Sequence, residues 1–496
     1  MADLVLAIDA GTTGVRVNAY DRSAAIVATR YREFTQHYPQ PGWVEHDAEE
    51  IWEAARGLLG EVLDAVRDPA RVAAIGITNQ RETTVLWDRK TGRPLHRAIV
   101  WQDRRTASIC ETLKRGGLET KVRRKTGLVI DAYFSGTKVT WLVENVPQVA
   151  ERLRSSPHEV AFGTIDTWLA FKLSGGKSHV TDPTNASRTL LYDIDKRAWA
   201  PDLCEALGVP LEILPRVVGS AERYGETQAA LFGRAIPLAG IAGDQQAALF
   251  GQGCFEPGTS KNTYGTGCFA LVNCGEKRPP DPQGLVTTIA CDGAGRPVYA
   301  LEGSVFIAGA VIQWLRDGLG LIATAAETEA IARSVPDTGG VYFVPAFVGL
   351  GAPYWDMDAR GAIVGLTRGT TRAHMVRAAL ESIGYQTRDL VEAFETSAGQ
   401  PLAELRVDGG ATANDLLLEF QADILGKPLI RPRNTESTAL GAAFLAGLAC
   451  GFWESSADVA KLLKGGHRRF EPHMPADRRE ALYAGWKAAV KRVLTK

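Results

Sequence analysis

Residues 4–21 read Leu-Val-Leu-Ala-Ile-Asp-Ala-Gly-Thr-Thr-Gly-Val-Arg-Val-Asn-Ala-Tyr-Asp. An apolar run ends at Asp9, a Gly/Thr turn follows, and alternation resumes from Val15 to Tyr20. The period of two predicts a β-hairpin. Its tip admits two readings. Gly and Thr are common in plain turns. The same residues also present backbone N–H groups and hydroxyls suited to phosphate oxygens, and an Asp at a strand end can hold a hydrated Mg²⁺. The hairpin alone does not choose between them.

Two further stretches end a strand in the same way. One is Asn262-Thr-Tyr-Gly-Thr-Gly267, which runs on into Cys-Phe-Ala-Leu-Val. The other is Leu405-Arg-Val-Asp-Gly-Gly-Ala-Thr-Ala-Asn414. Three such turns in one chain favour a nucleotide cleft between two halves. The hairpins at 4–21 and 260–272 read as counterparts in a duplicated architecture, although their sequences share little. We place the boundary near residue 250, with no long linker, giving domains 1–250 and 251–496. No GxxxxGK[ST] motif occurs, so a P-loop is excluded.

Between these turns the pattern alternates strands with helices, an α/β layering. A helix is expected over 47–66, with Asp47 as N-cap and Glu50 three residues on. A buried strand follows over 72–78 and ends in Asn79-Gln80-Arg81-Glu82. Further helices are expected over 306–315, 372–394, up to about Leu425, and 478–494.

The composition supports a globular protein of two to four domains: 496 residues, 45% hydrophobic and 23% charged. A net charge of −1 argues against a basic face for nucleic acid. Seven cysteines with no CxxC read as reduced thiols in a cytosolic protein. The opening Met-Ala-Asp-Leu has no basic start and does not read as a signal peptide. The uncharged run 437–453 reads as a buried core helix rather than a membrane span. There are 51 glycines, above the usual share of about 7%.

Two polar features stand at strand ends. Arg81-Glu82 reads by default as an ion pair between neighbours. Asp244 lies in an otherwise uncharged stretch among Ile241, Ala242, Ala247, Leu249 and Phe250, where a carboxylate is rare unless paired or functional. It is the best candidate for a general base, with the N-cap of a helix over 245–251 as the alternative.

From about residue 4 to about 490 the chain resembles the glycerol kinases. These belong to the carbohydrate kinase (FGGY) family, which shares the fold of actin and the heat-shock chaperone ATPases. Two long family signatures fit, Tyr133-Phe-Ser-Gly-Thr-Lys138 to Asn145 and Gly361-Ala-Ile-Val-Gly365-Leu366 to Glu381. The strings Ile77-Thr-Asn-Gln-Arg-Glu-Thr83, Trp101-Gln102, Gly163 to Trp168, Thr181 to Arg188, Gly243-Asp-Gln-Gln246 and Asn262 to Phe269 mark glycerol kinases within the family.

The resemblance implies two actin-like (ribonuclease H-like) domains flanking a nucleotide and substrate cleft. It implies ATP-dependent phosphorylation of glycerol to sn-glycerol 3-phosphate, the first step of glycerol catabolism, in a cytoplasmic homodimer or homotetramer. ATP phosphates would lie against Thr12, Thr13, Gly14, Arg16 and Thr266, with Mg²⁺ near Asp9 and Asp244. Gly309, Gln313, Gly410 and Asn414 would hold the nucleoside. Arg81, Glu82, Tyr133, Asp244 and Gln245 would meet glycerol, with Trp101 and Phe269 against its carbons. Asp244 would act as base.

Some positions depart from the family. Gly14 stands where many relatives have Ser, which leaves only backbone to meet phosphate there, and Ala10 replaces a common Gln. No His lies between His179 and His374, which argues against the control by histidine phosphorylation seen in some relatives. The loop Leu231-Phe-Gly-Arg-Ala departs from the Gly-Gly-Thr-Arg through which others bind fructose bisphosphate. The alternatives are a kinase for another polyol or keto-sugar, and a chaperone or filament-forming ATPase of the same fold. The latter would not need Arg81, Glu82, Tyr133 and Asp244. If glycines 265, 267 and 410 serve the nucleotide, Ala at any of them should weaken ATP binding more than Ala at Gly447.

Overall fold

In the computed structural model, residues 2–280, 282, 284–399, 401–433 and 436–495 are described. The opening stretch forms the expected hairpin, β1 (Leu4–Ala10) and β2 (Gly14–Asp21). It nucleates a six-stranded sheet with β3 (Ile26–Glu33), β4 (Val72–Asn79), β5 (Arg223–Glu226) and β6 (Pro237–Gly243), in the order β5-β6-β4-β1-β2-β3. A second sheet contains β7 (Ser260–Tyr264), β8 (Cys268–Gly275), β9 (Val286–Cys291), β10 (Pro297–Val305), β11 (Leu405–Asp408), β12 (Leu429–Arg431) and β13 (Arg468–Phe470). Its order is β9-β10-β8-β7-β11-β12-β13.

The two sheets are duplicates in topology. β3-β2-β1-β4-β6 corresponds to β10-β8-β7-β11-β12, in the same chain order. Each first hairpin is antiparallel, as is its next neighbour, and the last two pairings are parallel. The flanking antiparallel strand differs: β5 precedes β6, whereas β13 follows β12. The duplication is therefore one of backbone pairing, which needs apolar alternation but not identical side chains.

Eight helices matter for the site: α1 (Ala48–Val66), α2 (Ser135–Asn145), α3 (Ile165–Leu173), α4 (Asp244–Gly251), α5 (Gly309–Asp317), α6 (Arg372–Ala398), α7 (Asp415–Leu425) and α8 (Ser437–Ala449). The Asp47 carboxylate caps α1 by accepting from Glu49 N at 2.9 Å. Glu50 does not close a capping box but accepts from Thr35 N and Oγ1. α1 and α3 cover one face of the first sheet, through Ile51, Leu58, Leu59, Trp168 and Leu169. α6 and α7 cover one face of the second.

The inner faces are covered by an exchange. α8 lies between β12 and β13 of the second sheet, yet packs its Ala439, Ala442, Ala443 and Ala446 on Val5, Ala7, Ala74 and Ala239 of the first. α4 follows the first sheet, yet its Leu249 packs with Leu271, Ala290, Val298 and Ala300 of the second. The two helices touch backbone to backbone: a β-carbon at Gly441 would collide with the Ala247 carbonyl, and one at Gly251 with the Ser437 carbonyl. The run 437–453 is thus the buried helix expected, and among the described residues no helix is long and apolar enough to cross a membrane.

Much of the chain between β4 and β5, α3 apart, forms a separate lobe around Phe134, Val139, Leu142, Leu191 and Ile213. It carries Trp101 and Tyr133 to the mouth between the sheets.

Candidate active site

In an open α/β sheet, ligands gather beyond the carboxyl ends of parallel strands. Here that edge holds Asp9 (β1), Arg81 and Glu82 (after β4) and Asp244 (after β6). Across the cleft it holds Thr266 (after β7) and Gly410 (after β11). Register enforces this, since Asp9 pairs with Thr78 and Gly243 with Asn79.

The Asp244 Oδ1 accepts from its neighbour Gln245 N at 2.7 Å and lies 3.2 Å from Arg81 Nε. Its Oδ2 has no protein partner among the described residues, and the side chain is 28% exposed. Asp244 is the first residue of α4, whose N-cap is Gly243. The N-cap alternative is thereby corrected: Asp244 lies inside the helix, and its Oδ1 accepts from the next residue's N–H, not from an N–H two or three residues on as a cap would.

Arg81 and Glu82 are not each other's main partners. Arg81 Nε and Glu82 Oε1 are 4.0 Å apart. Arg81 instead donates to Glu302 Oε2 at 2.5 Å and Oε1 at 3.2 Å, and Glu82 accepts from Arg188 Nε at 2.6 Å. Arg188 Nη2 closes the ring on Glu302 Oε1 at 2.8 Å. The physical reason is the bend that follows β4: Glu82 takes a left-handed φ of 62°, which turns its carboxylate to Arg188 while Arg81 reaches Glu302. All four side chains are buried. Burial raises the Glu302 carboxyl, but Arg188 and Arg81 outweigh it and hold it at about 2. Glu82, with fewer N–H donors, stays above the usual range because burial wins there.

A row of three rings spans the mouth. Trp101 packs edge-on against Tyr133 at 5.7 Å and against Phe269 at 6.1 Å. Tyr133 OH accepts from Arg81 Nη2 at 3.4 Å. Trp101 Nε1 donates to Thr12 Oγ1 at 2.9 Å, so the ring wall is tied directly to the first turn.

On the first turn, Thr12 is half-buried and Thr13 exposed. Asp9 is pushed up to about 7 by burial, then by the charges of Asp244 and Glu436, against the opposing pull of Arg16. A site that resists its own negative charge suits a divalent cation. The donors present are hard oxygens, as Mg²⁺ requires. Among the described residues no cluster of three or more His, Cys, Asp or Glu could hold an ion alone. Two carboxylates completed by phosphate oxygens is the usual Mg²⁺ arrangement. Arg16 forms an ion pair with Glu436 across the cleft. At Gly14 a β-carbon would lie 2.7 Å from Tyr31 OH and from the Arg32 carbonyl. The Tyr31 hydroxyl is the end of an exposed side chain and can move aside, but the Arg32 carbonyl is backbone, so glycine is the residue that fits at 14 here.

Of the nucleoside candidates, Gly309 stands at the second turn. Gly309 N donates to Gly265 O at 3.0 Å, and Ala310 N to Thr266 O at 3.0 Å, so the turn caps α5. That capping explains why the helix starts at 309 rather than 306. Gln313 is exposed one turn on. Gly409 has φ 90°, and its α-carbon sits against Tyr264 at the end of β7, while a β-carbon at the next residue, Gly410, would meet open space. Asn414 caps α7 through Leu417 N at 3.0 Å and also reaches Thr328 Oγ1 at 3.2 Å.

The glycine expectation needs correcting at two places. Nothing lies within 4 Å of a β-carbon at Gly410, but one at Gly267 would strike the Val305 carbonyl, and one at Gly447 the Trp453 ring. Gly447 is a packing position, not a silent reference.

Sequence reasoning missed Glu302, Arg188 and Lys261 as parts of the site. Each is the lone charge in an uncharged stretch, between Arg296 and Arg316, Asp182 and Asp193, and Glu256 and Glu276. That is the signal by which Asp244 was found.

Two duplicated sheets with exchanged inner helices, opening on a cleft of Gly/Thr turns and a buried charge ring, define an actin-like, ribonuclease H-like phosphotransferase architecture. The N-terminal domain pattern of the FGGY family of carbohydrate kinases matches residues 4–251 and its C-terminal domain pattern residues 260–450. The chain belongs to this family. It is 60% identical to a glycerol kinase of Carboxydothermus hydrogenoformans over 490 residues, covering 98% of this chain and 97% of that one. It is 56% identical to glycerol kinase 2 of Thermotoga maritima, over 99% and 98% of the two chains. The crystal structure of Plasmodium falciparum glycerol kinase with ADP superposes with a TM-score of 0.93 at 37% identity, covering 100% of this chain and 99% of that one.

Proposed function

We propose that this chain transfers the γ-phosphoryl group of ATP to a terminal hydroxyl of glycerol, giving sn-glycerol 3-phosphate. The observation that carries this reading is the half-exposed Asp244, anchored by one oxygen beside Arg81 and Tyr133 under the ring wall of Trp101 and Phe269. Three hydroxyls need acceptors and donors on one side and apolar cover on the other. Glu82 and Asp244 accept, Arg81, Tyr133 and Gln245 donate, and the rings cover carbon. A site that pairs each hydroxyl rejects analogues lacking one.

Asp244 Oδ2 takes the proton of the attacking hydroxyl while the Gln245 N–H and Arg81 hold Oδ1 in place. Thr12, Thr13, the Gly14 backbone, Arg16 and Thr266 orient the phosphates for in-line transfer, and Arg16 exchanges Glu436 for phosphate charge. Asp9 and Asp244 would hold Mg²⁺, which when bound neutralises phosphate charge. Gly309, Gln313, Gly410 and Asn414 bound the nucleoside end. Closure of the halves excludes water, the competing acceptor.

The same reading divides the chain near residue 250, into a polyol and phosphate half (1–250) and a nucleotide half (251–496). Phe269 of the second half completes the polyol wall. It also includes a cytoplasmic enzyme working as a homodimer or homotetramer in glycerol catabolism. Sedimentation velocity tests the assembly, and a monomer would exclude it.

The chemistry is tested by identifying the product. Incubation with MgATP and glycerol should give a phosphomonoester by ³¹P NMR that a dehydrogenase specific for sn-glycerol 3-phosphate oxidises. Inorganic phosphate alone would mean ATP hydrolysis and would remove the proposal.

A further inference from the structure

Lys261 is a fully buried lysine on β7 that forms no ion pair within the described residues. Its ammonium has three donors and no acceptor capacity. All three are used on neutral oxygens: the Gln245 Oε1, Thr263 Oγ1 at 2.8 Å and the Phe269 carbonyl at 3.2 Å. Gln245 belongs to α4 of the first half, whereas Thr263 and Phe269 belong to the second. Lys261 therefore joins two residues that the proposed function places around the polyol.

An amide facing an ammonium can present only its oxygen. Gln245 Nε2 must then point away; among the described residues it makes no hydrogen bond, nor is it one of the sealed unsatisfied atoms. We propose that Lys261 is a positioning residue, locking the Gln245 amide so that it offers the polyol N–H donors only, while holding the Phe269 wall by its carbonyl. The inference rests on the reading that Gln245 meets the polyol. It assigns a polarity to that contact: the hydroxyl opposite Gln245 accepts there and donates elsewhere. The carboxylates Asp408, Asp244 and Glu302 and the guanidinium of Arg81 are the charges that act on Lys261. Burial, only partly offset by those carboxylates, lowers the ammonium to about 8.

The test uses the full-length protein with Lys261→Met, Gln245→Ala, the double variant and Gln245→Glu. Lys261→Met should raise the glycerol KM at least tenfold, the usual effect of losing a charge-assisted bond, with the ATP KM within twofold. It should also reduce the preference for glycerol over 1,2-propanediol, and the double variant should fall short of the sum of the two single effects, because the Gln245 contact is shared while the hold on Phe269 belongs to Lys261 alone. Gln245→Glu keeps Lys261 paired and so keeps the fold, yet removes the donors, and its glycerol KM should rise at least tenfold. Lys261→Arg should restore part of the KM. A folded Lys261→Met with wild-type glycerol KM, additive effects in the double variant, or a Gln245→Glu enzyme with wild-type glycerol KM would each overturn the proposal. Should Lys261→Met fail to fold, Gln245→Glu decides alone. A wild-type protein inactive on glycerol would overturn the substrate reading itself, whereas an active wild type with indifferent variants overturns only the role of Lys261.

Discussion

Replacing Glu302 by Gln probes the charge ring on which the proposed polyol site stands. Glu302 is fully buried on β10 and accepts from Arg81 at 2.5 and 3.2 Å and from Arg188 at 2.8 Å. Glutamine keeps the volume but removes the charge. Arg81, Arg188, Glu82 and Glu302 sum to zero, and the variant leaves a buried positive charge. Breaking such a buried network costs about 3–5 kcal/mol. A second route agrees: the amide keeps one acceptor oxygen and sets N–H donors against an arginine, so one or two charge-assisted bonds at about 1.5–3 kcal/mol each are lost, about 3 kcal/mol in all. The pairing joins Arg81 and Arg188 of the first half to a strand of the second, so the loss should also loosen the halves. Arg81 would turn toward Asp244, already 3.2 Å from its Nε, and weaken it as a base. Urea unfolding should show a loss of about 3–5 kcal/mol, and steady-state assays a glycerol KM and kcat each impaired at least tenfold. A variant within about 0.5 kcal/mol of wild type and with its glycerol KM would refute the idea that Glu302 holds Arg81 in place.

Other outcomes follow from the same geometry. Asp244→Asn should lower kcat by about 10²–10⁴ with the glycerol KM little changed, and a kcat near wild type in rapid-quench assays would remove the base. Asp9, at about 7 against an ordinary 3.8, binds more proton folded than unfolded between those values. The ligand-free protein should therefore lose stability as pH rises from about 4 to about 7, a slope that Asp9→Asn flattens in thermal melts. MgADP binding should release about half a proton at pH 7 by calorimetry in buffers of different ionisation enthalpy, as expected for a group titrating there, and none in Asp9→Asn. Gly410→Ala should melt like wild type yet bind ADP more weakly, whereas Gly447→Ala should lose about 1–3 kcal/mol through its clash with Trp453 and bind ADP normally. Equal ADP affinities would make the Gly410 turn structural only.

Much of the fold was legible because it rests on local pattern. The alternation after Asp9 and again after Tyr264 identified both hairpins, and the short polar turns located the strand ends where ligands gather. Asp244 was legible as a carboxylate stranded among apolar residues. What was not legible depends on distance along the chain. Arg188 and Glu302 meet across 114 residues, and Arg81 and Glu302 across 221. Adjacency suggested that Arg81 pairs with Glu82, but the left-handed backbone at Glu82 turns its carboxylate to Arg188 instead. The exchange of α4 and α8 between the sheets was equally hidden, because helix period identifies a buried face without saying which sheet buries it. Its trace in the sequence is the glycine excess, part of which, at Gly251 and Gly441, lets those two helices touch.

The most direct measurement is ADP release by the purified protein with MgATP and a panel of glycerol, xylulose, gluconate and other polyols. Specific pairing of each hydroxyl predicts that kcat/KM for glycerol exceeds that for every other member by at least about 10². Rates on glycerol no better than on xylulose or gluconate would contradict it.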